Sequence, residues 1–300
     1  MKRAFRIVAF AFLALMTLAL RAEDKRILLI AGRPSHPPGM HEFRAGCLLL
    51  QKSLANVPGV KVEVYSNGWP TKVEGDKKVD DNSVFDGAAA VLVYADGGGG
   101  HPAIQPGRIE VLDKVAARGA GIGFAHYGVE VPVGAGGDAL KRWVGGHYEN
   151  LYSVNPMWSP NFQSFPEHPI THGVQPFSNR DEWYFNMRWG SEIKRVTPIL
   201  TDTPSDAVRK GPYVYPSGPY PHIVEASGHQ ETMMWAFERA DGGRGFGFTG
   251  GHTHKNWGNP NQRKVVLNAL LWLAKAEVPA KGVESVVSEE DLAANLDMKK

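Results

Sequence analysis

The sequence predicts an α/β protein with a doubly wound, mostly parallel sheet and helices on both faces. Three observations predict it: short runs that are apolar throughout, amphipathic stretches between them, and a β-α-β-(loop)-β-α-β order through the first half. A strand covered on both faces reads as a continuous apolar run.

The elements follow in order. Arg26-Ile-Leu-Leu-Ile-Ala31 ends at Gly32 and reads as a buried strand. A polar loop, Arg33 to Met40, precedes a helical stretch from His41 to Asn56, with Phe43, Cys47, Leu50 and Leu54 on one side. Val60 to Tyr65 alternates like a second strand, and Ala88 to Tyr94 is a third. The third runs into Asp96-Gly-Gly-Gly-Gly-His101. Arg108 to Arg118 is a helix, Ala120 to Ala125 a fourth strand ending at His126-Tyr127-Gly128, and Asp138 to Val144 a short helix. Tyr148 to about Asn186 is rich in Pro, Trp, Tyr and Asn, with weak periodicity. Val196 to Leu200, Ile223 to Glu225, Met233 to Phe237 and Gly245 to Gly251 read as strands, with an Asp-Gly turn before the last. Asn261 to Lys275 is an amphipathic helix, and Ser288 to Leu296 a short helix in a polar tail. No repeat or linker divides the chain, so residues 23–279 are expected to be one domain and 280–300 a tail.

Composition narrows the function. Hydrophobic residues are 43% and charged residues 21% of 300, which excludes wholesale disorder. A formal net charge of +2 gives no global pull toward nucleic acid or anionic membrane. One cysteine, Cys47, excludes intramolecular disulfides and cysteine-rich zinc sites. Cys47 falls on an apolar helix face and reads as core. Lys2, Arg3 and Arg6 precede the apolar run Ile7 to Leu20, so residues 1–22 read as a signal peptide, and a periplasmic or secreted location is expected. An uncleaved anchor is the alternative for that segment. No other segment is long and apolar enough to span a membrane.

In open parallel sheets, ligands bind beyond the carboxyl ends of the strands. His36, His41 and Glu42 follow the first strand, Asp96 and His101 the third, His126 and Tyr127 the fourth, and His252 and His254 the Gly245 strand. His252-x-His254 on extended chain would point two imidazoles to one side. With His36 and His41 they are the candidate ligands of a divalent metal, zinc first, since catalytic zinc commonly uses three N/O ligands and keeps an open position. Asp181-Glu182, beside Trp183 and Tyr184, suits acid/base work on a sugar. The plainer reading is that Asp181 caps a turn and Glu182 pairs with an arginine. Tyr127, Tyr184, Trp183 and Trp257 are candidate sugar-binding rings within a dense aromatic set that could equally fill core. No G-x-S-x-G, no phosphate loop of the G-x-x-x-x-G-K-[ST] type, and no G-x-G-x-x-G after the first strand is present.

Four stretches together carry a resemblance: Ala31-Gly-Arg-Pro-Ser-His36, Gly121-Ile-Gly-Phe-Ala-His126-Tyr-Gly, His168-Pro-Ile-Thr-His-Gly-Val174 leading to Asp181-Glu-Trp-Tyr184, and Gly243-Arg-Gly-Phe-Gly-Phe-Thr-Gly-Gly-His252. Over roughly residues 26–276 the chain resembles the ThuA-like family, named for trehalose utilisation. The resemblance implies a flavodoxin-like, class I glutamine amidotransferase-like fold. In the amidotransferases a cysteine nucleophile sits at the sharp turn after a central strand. Here that turn carries His126, which argues against glutaminase chemistry. The resemblance further implies hydrolysis or modification of a keto-disaccharide or glycoside, with a divalent metal. It carries His36, His126, Asp181, Glu182 and His252 as site residues; His126, Asp181 and Glu182 are the catalytic candidates. Expected partners are a small sugar, with no nucleic acid and no membrane beyond the signal segment; a homo-oligomer is compatible with the sequence. A non-catalytic sugar-binding module and an interaction domain of a secreted assembly are the rival readings.

Overall fold

A computed structural model describes residues 23–299; the signal segment expected at 1–22 lies outside the described residues. Seven strands form the central sheet: β1 (Lys25–Ala31), β2 (Val60–Tyr65), β3 (Ala88–Tyr94), β4 (Gly121–Ala125), β5 (Val196–Asp202), β6 (Glu231–Glu238) and β7 (Arg244–Phe248). Their order is β5-β6-β7-β4-β3-β1-β2. From β7 to β2 every pairing is parallel, and β6 runs antiparallel to both its neighbours. Helices α1 (Phe43–Leu54) and α4 (Pro260–Leu273) cover one face, and α2 (Arg108–Ala117) and α3 (Ala135–Val144) the other. The expected doubly wound α/β architecture is the one observed.

The apolar runs are explained by this layering. Ile27, Leu29 and Ala31 of β1 pack with Phe43, Leu50 and Val265, whereas Leu28 and Ile30 pack on the other side with Leu112 and Val115. Side chains alternate between faces, so a strand buried on both needs no polar residue. β7 reads Gly-Phe-Gly-Phe for a related reason. A Cβ at Gly245 would collide with the backbone of Trp143 and Val144 in α3, so the helix can sit directly on the strand. Cys47 lies on the buried face of α1, where loss of hydration pushes the thiol up, away from the nucleophilic thiolate.

Two expectations need correction. Ile223 to Glu225 is part of a helical turn, Pro221–Glu225, not a strand. Pro221 stands at its first position with φ already helical, and only Ile223 of the turn is buried. The short helix expected at Asp138 begins earlier, at Ala135, because a glycine-rich first turn hides its periodicity.

Residues 145–195 form an irregular antiparallel ribbon of two-residue pairings: Gly146–His147 with Arg188–Trp189, Met157–Trp158 with Asp181–Glu182, and Asn161–Phe162 with Phe177–Ser178. Its aromatics, Trp158, Phe162, Phe177, Trp183 and Phe185, join one core cluster. That burial explains a stretch rich in large rings yet without helical or strand period. The ribbon delivers Asp181–Tyr184 to the ends of the parallel strands.

His101, in the loop after β3, is structural. Its Nε2–H donates to the Gly128 carbonyl at 2.9 Å, and its Nδ1 accepts the Ala103 N–H at 3.0 Å. Protonating Nδ1 would break the second bond, and burial holds the ring down to about 4. An unfolded histidine titrates near 6.5. Between those values the unfolded chain binds the extra proton, so the stability His101 contributes is lost as pH falls. The stability difference between wild type and His101→Gln is expected to shrink from pH 6.5 toward 4, by up to about 1.4 kcal/mol per pH unit. Urea unfolding at several pH values checks this; a constant difference contradicts it.

Candidate functional site

The histidines stand where parallel strands end. β1 leads through Gly32 to His36 and His41, β4 turns at His126, and β7 leads through Thr249 to His252. His36, His41 and His126 have φ of 60°, 48° and 51°. That left-handed conformation costs a non-glycine residue about 1–2 kcal/mol, and such strain gathers at sites that use it.

Hydrogen bonds fix the tautomers. His126 Nδ1 lies 3.0 Å from the Thr249 carbonyl, and His41 Nδ1 lies 2.8 Å from Asp96 Oδ1. Both partners only accept, so each Nδ1 carries the proton and each Nε2 of the neutral ring is a bare lone pair. Those two Nε2 atoms face each other at 3.0 Å. His252 Nδ1 joins them, 3.0 Å from His41 Nε2 and 3.3 Å from His126 Nε2. Glu182 Oε2 closes the group, 2.7 Å from His252 Nδ1 and 3.7 Å from His126 Nε2. Burial, reinforced by the neighbouring imidazoles, holds His41 down to about 2 and His126 well below the ordinary histidine value. Neither ring is therefore an imidazolium at neutral pH.

Converging lone pairs repel one another unless a cation or proton lies among them. A tetrahedral zinc with bonds of about 2.0–2.1 Å has ligand-to-ligand edges of about 3.3 Å. Five of the six separations here run from 2.7 to 3.7 Å, and the sixth, between His41 and Glu182, is longer but within 4.8 Å. The donor set of three imidazoles and one carboxylate thus fits a divalent ion in size and chemistry. Asp96 and Thr249 stand behind His41 and His126 as the outer partners that metal-bound imidazoles require.

Around the cluster, Tyr184 Oη lies 3.4 Å from His126 Nε2, and Asn155 donates to Glu182 Oε1 at 2.8 Å. His36 stacks on His41 with ring centroids 3.6 Å apart and, with Asp96, is part-exposed at the mouth. Tyr127 forms a further part of that rim, 6.0 Å from the His41 ring. From Asp96 a cleft of about 690 Å³ extends past Gly32, Arg33, Trp69 and Arg108, at the point where β1 and β3 diverge.

Other candidates stand elsewhere. His254 does not reach the cluster: a 3₁₀ turn begins at His254 and breaks the extended alternation that would have aligned it with His252. Its ring is buried with neither nitrogen bonded to a side chain or backbone atom within hydrogen-bond distance. Asp181 is fully buried, not on a rim. It accepts N–H groups of Gly251, Thr253 and Glu182 at 2.9, 2.9 and 3.0 Å, so it shapes the loop that carries His252. Trp183 and Trp257 are core residues; the Trp183 indole donates to Asn179. One contributor, Asp96, was placed beyond a strand end but given no role, and another, Glu130, went unnoticed in the sequence. Asp96 orients His41, and its place beyond a strand end was the available signal. Glu130 lies one residue past the His126–Val129 turn, half-buried and pushed up to about 7 by burial and then by the Glu182 charge. Nothing in its local sequence marks it.

The fold and the cluster define a doubly wound α/β protein with a histidine–carboxylate centre at the carboxyl edge of its sheet. A family model described as ThuA, trehalose utilisation, matches residues 71–273, and the chain belongs to that family. The family points to a carbohydrate-related role. His36 and His41 precede the matched region. A crystal structure described as a ThuA-like protein from Bacteroides uniformis ATCC 8492 is 14% identical, with a TM-score of 0.55 over 84% of this chain and 92% of that one, which supports the shared fold. A protein described as cytoplasmic protein STM3548 from Salmonella typhimurium is 10% identical, with a TM-score of 0.43 over 84% of this chain and 97% of that one. A search of curated proteins found no match. Among the described residues no helix is long and apolar enough to cross a membrane.

Proposed function

We propose that the protein is an exported, metal-dependent enzyme acting on a small sugar, a keto-disaccharide or glycoside. One observation carries the reading: two bare Nε2 atoms, held in that state by Thr249 and Asp96, face each other at 3.0 Å in a buried site beside a third imidazole and a carboxylate. His41, His126, His252 and Glu182 would hold a divalent ion, zinc first. A bound ion of this kind polarises a sugar oxygen or lowers the pKa of water. His252 joins the set as the neutral tautomer whose Nδ1 is bare and whose Nε2 carries the proton. The Glu130 carboxylate has no hydrogen bond or ion pair among the described residues, and Tyr127, Tyr148 and Tyr184 all feel its charge. It is therefore free to exchange a proton with a sugar hydroxyl, whereas Asp181 is committed to backbone N–H groups. The basic start and apolar run of residues 1–22 support export.

Elemental analysis of the protein purified without chelator tests the reading. Close to one equivalent of zinc or another divalent metal per chain is expected near pH 7.5, where His41 and His126 are neutral. Absence of metal after incubation with each divalent ion would remove the metal chemistry and leave a polar sugar-binding pocket.

A further inference from the structure

The loop that carries His41 is strained, and the residues that restrain it come from two segments near the other end of the chain, 252–254 and 297–299. One side is zipped to the other ligand loop. The His41 N–H donates to the His252 carbonyl at 3.0 Å, the His254 N–H donates to the Gly39 carbonyl at 2.9 Å, and Met40 pairs with Thr253 as an isolated antiparallel bridge. The ligand-bearing loops thus hold each other, with His41 and His252 side by side.

The other side is closed by the C-terminal segment. Lys299 Nζ donates to the carbonyls of Met40 and His41, the second at 3.2 Å, and lies 3.1 Å from Glu42 Oε1. An ammonium has three N–H donors, and here each has an acceptor. The Lys299 side chain is only 5% exposed and that of Glu42 1%. Glu42 is also bonded to the Asp297 N–H through Oε2 at 2.8 Å and to the Gly39 N–H through Oε1 at 2.9 Å. It precedes α1 but makes no side-chain cap to that helix, so its carboxylate serves the loop and the strap. Upstream, Arg44 donates to the Asn295 carbonyl at 3.1 Å, and Lys52 pairs with Asp291. A solvated surface lysine would show none of this.

We infer that the segment Asn295–Lys299 is a strap that holds His41 in its ligating position, with Lys299 as the positioning residue. The inference rests on the metal reading above, because His41 is one of the four proposed ligands. The geometry is that of an outer-sphere support. Lys299 grips the two carbonyls that bracket the His41 N–H, the group zipped to His252. Without that grip the left-handed turn at His41 can relax toward ordinary backbone, carrying Nε2 away from the other donors. Outer supports of metal ligands commonly change affinity by about 10–100-fold.

The test uses the full chain and metal alone. Zinc affinity is measured by chelator competition, and bound cobalt is followed by visible absorption, for wild type, Lys299→Met and Lys299→Arg. Methionine keeps most of the alkyl stem and removes the charge. Expected for Lys299→Met are zinc binding about 10–100-fold weaker, a changed cobalt spectrum, and an apo melting temperature within a few degrees of wild type. Lys299→Arg should restore most of the affinity. Wild-type affinity in Lys299→Met overturns the inference, as does weakening that only tracks a lower apo melting temperature and is not rescued by arginine. If wild type binds no metal, the metal reading fails, and hydrogen exchange of residues 39–42 decides the strap separately. Faster exchange in Lys299→Met keeps the strap as the restraint on this loop, and unchanged exchange overturns it. Should Lys299→Met not fold, Glu42→Gln, which removes the ion pair from the other side, takes its place under the same criteria.

Discussion

Replacing His126 with alanine is expected to weaken zinc binding by at least about 100-fold. A four-ligand zinc site is worth about 10–16 kcal/mol in total, so one imidazole accounts for on the order of 3 kcal/mol. The same change should destabilise the metal-free protein modestly, by about 1–3 kcal/mol. His126 is fully buried and its Nδ1 donates to the Thr249 carbonyl, so the deletion leaves that carbonyl unpaired, offset in part by relief of the crowding between the His126 and His41 Nε2 atoms. Zinc titration calorimetry, with melting curves in the presence and absence of chelator, reads both effects. Undiminished zinc affinity in His126→Ala would show that the ion, if bound, sits elsewhere. A loss of apo stability well beyond that modest cost, with zinc affinity unchanged, would show that His126 is a core histidine with no ligating role.

The second large effect belongs to stability. Arg209, the last residue of the short helix Asp206–Arg209 after β5, is fully buried. Its Nη1 meets Glu231 Oε1 at 2.9 Å, and its Nη2 donates to the His229 carbonyl at 2.6 Å. Glu231, itself nearly buried, also accepts the Asn186 N–H at 3.1 Å and so ties β6 to the aromatic ribbon. Removing one partner of a buried pair strands the other charge, at about 3–5 kcal/mol. Arg209→Ala should therefore lower the melting temperature by roughly 10 °C, since 1 kcal/mol shifts a domain near this size by about 2–4 °C. Arg209→Met with Glu231→Leu should recover most of the loss, because an apolar pair replaces the ionic one without leaving a bare charge. A drop of less than about 3 °C in the single variant would mean that water reaches Glu231 and solvates it.

Much of the architecture was legible because its cause is local. A strand buried on both faces must be apolar at every position, and β1, β3 and β4 are. The site was legible in part for a topological reason: parallel strands bring their carboxyl ends to one edge, so His41, His126 and His252 could be grouped without knowing a distance. What stayed hidden depends on partners far along the chain. Asp181 looks like an acid/base residue until the Gly251 and Thr253 N–H groups, some seventy residues on, are seen to occupy it. Lys299 reads as one more charge in a polar tail until it is found against Glu42, more than 250 residues away. His254 failed alignment because the turn after Thr253 cancels the two-residue period on which the pairing rested. Trp183 and Trp257 carry no signal that separates a ring in the core from a ring at a sugar.

The left-handed turns at His36, His41 and His126 have a consequence for laboratory evolution. Glycine enters that backbone region without the penalty these histidines bear, and asparagine enters it more readily than most residues. Selection for heat resistance alone would therefore favour glycine or asparagine at His41 and His126, which crowd lone pairs together, as well as at His36 on the rim, and stability would rise as the centre was dismantled. Melting temperature and metal content should move in opposite directions along such a trajectory. A stabilised version of this protein has to hold those three histidines fixed and find its gains elsewhere, on the surfaces of α2 and α3 or in the exposed hairpin Thr71–Glu74 and Lys77–Asp80.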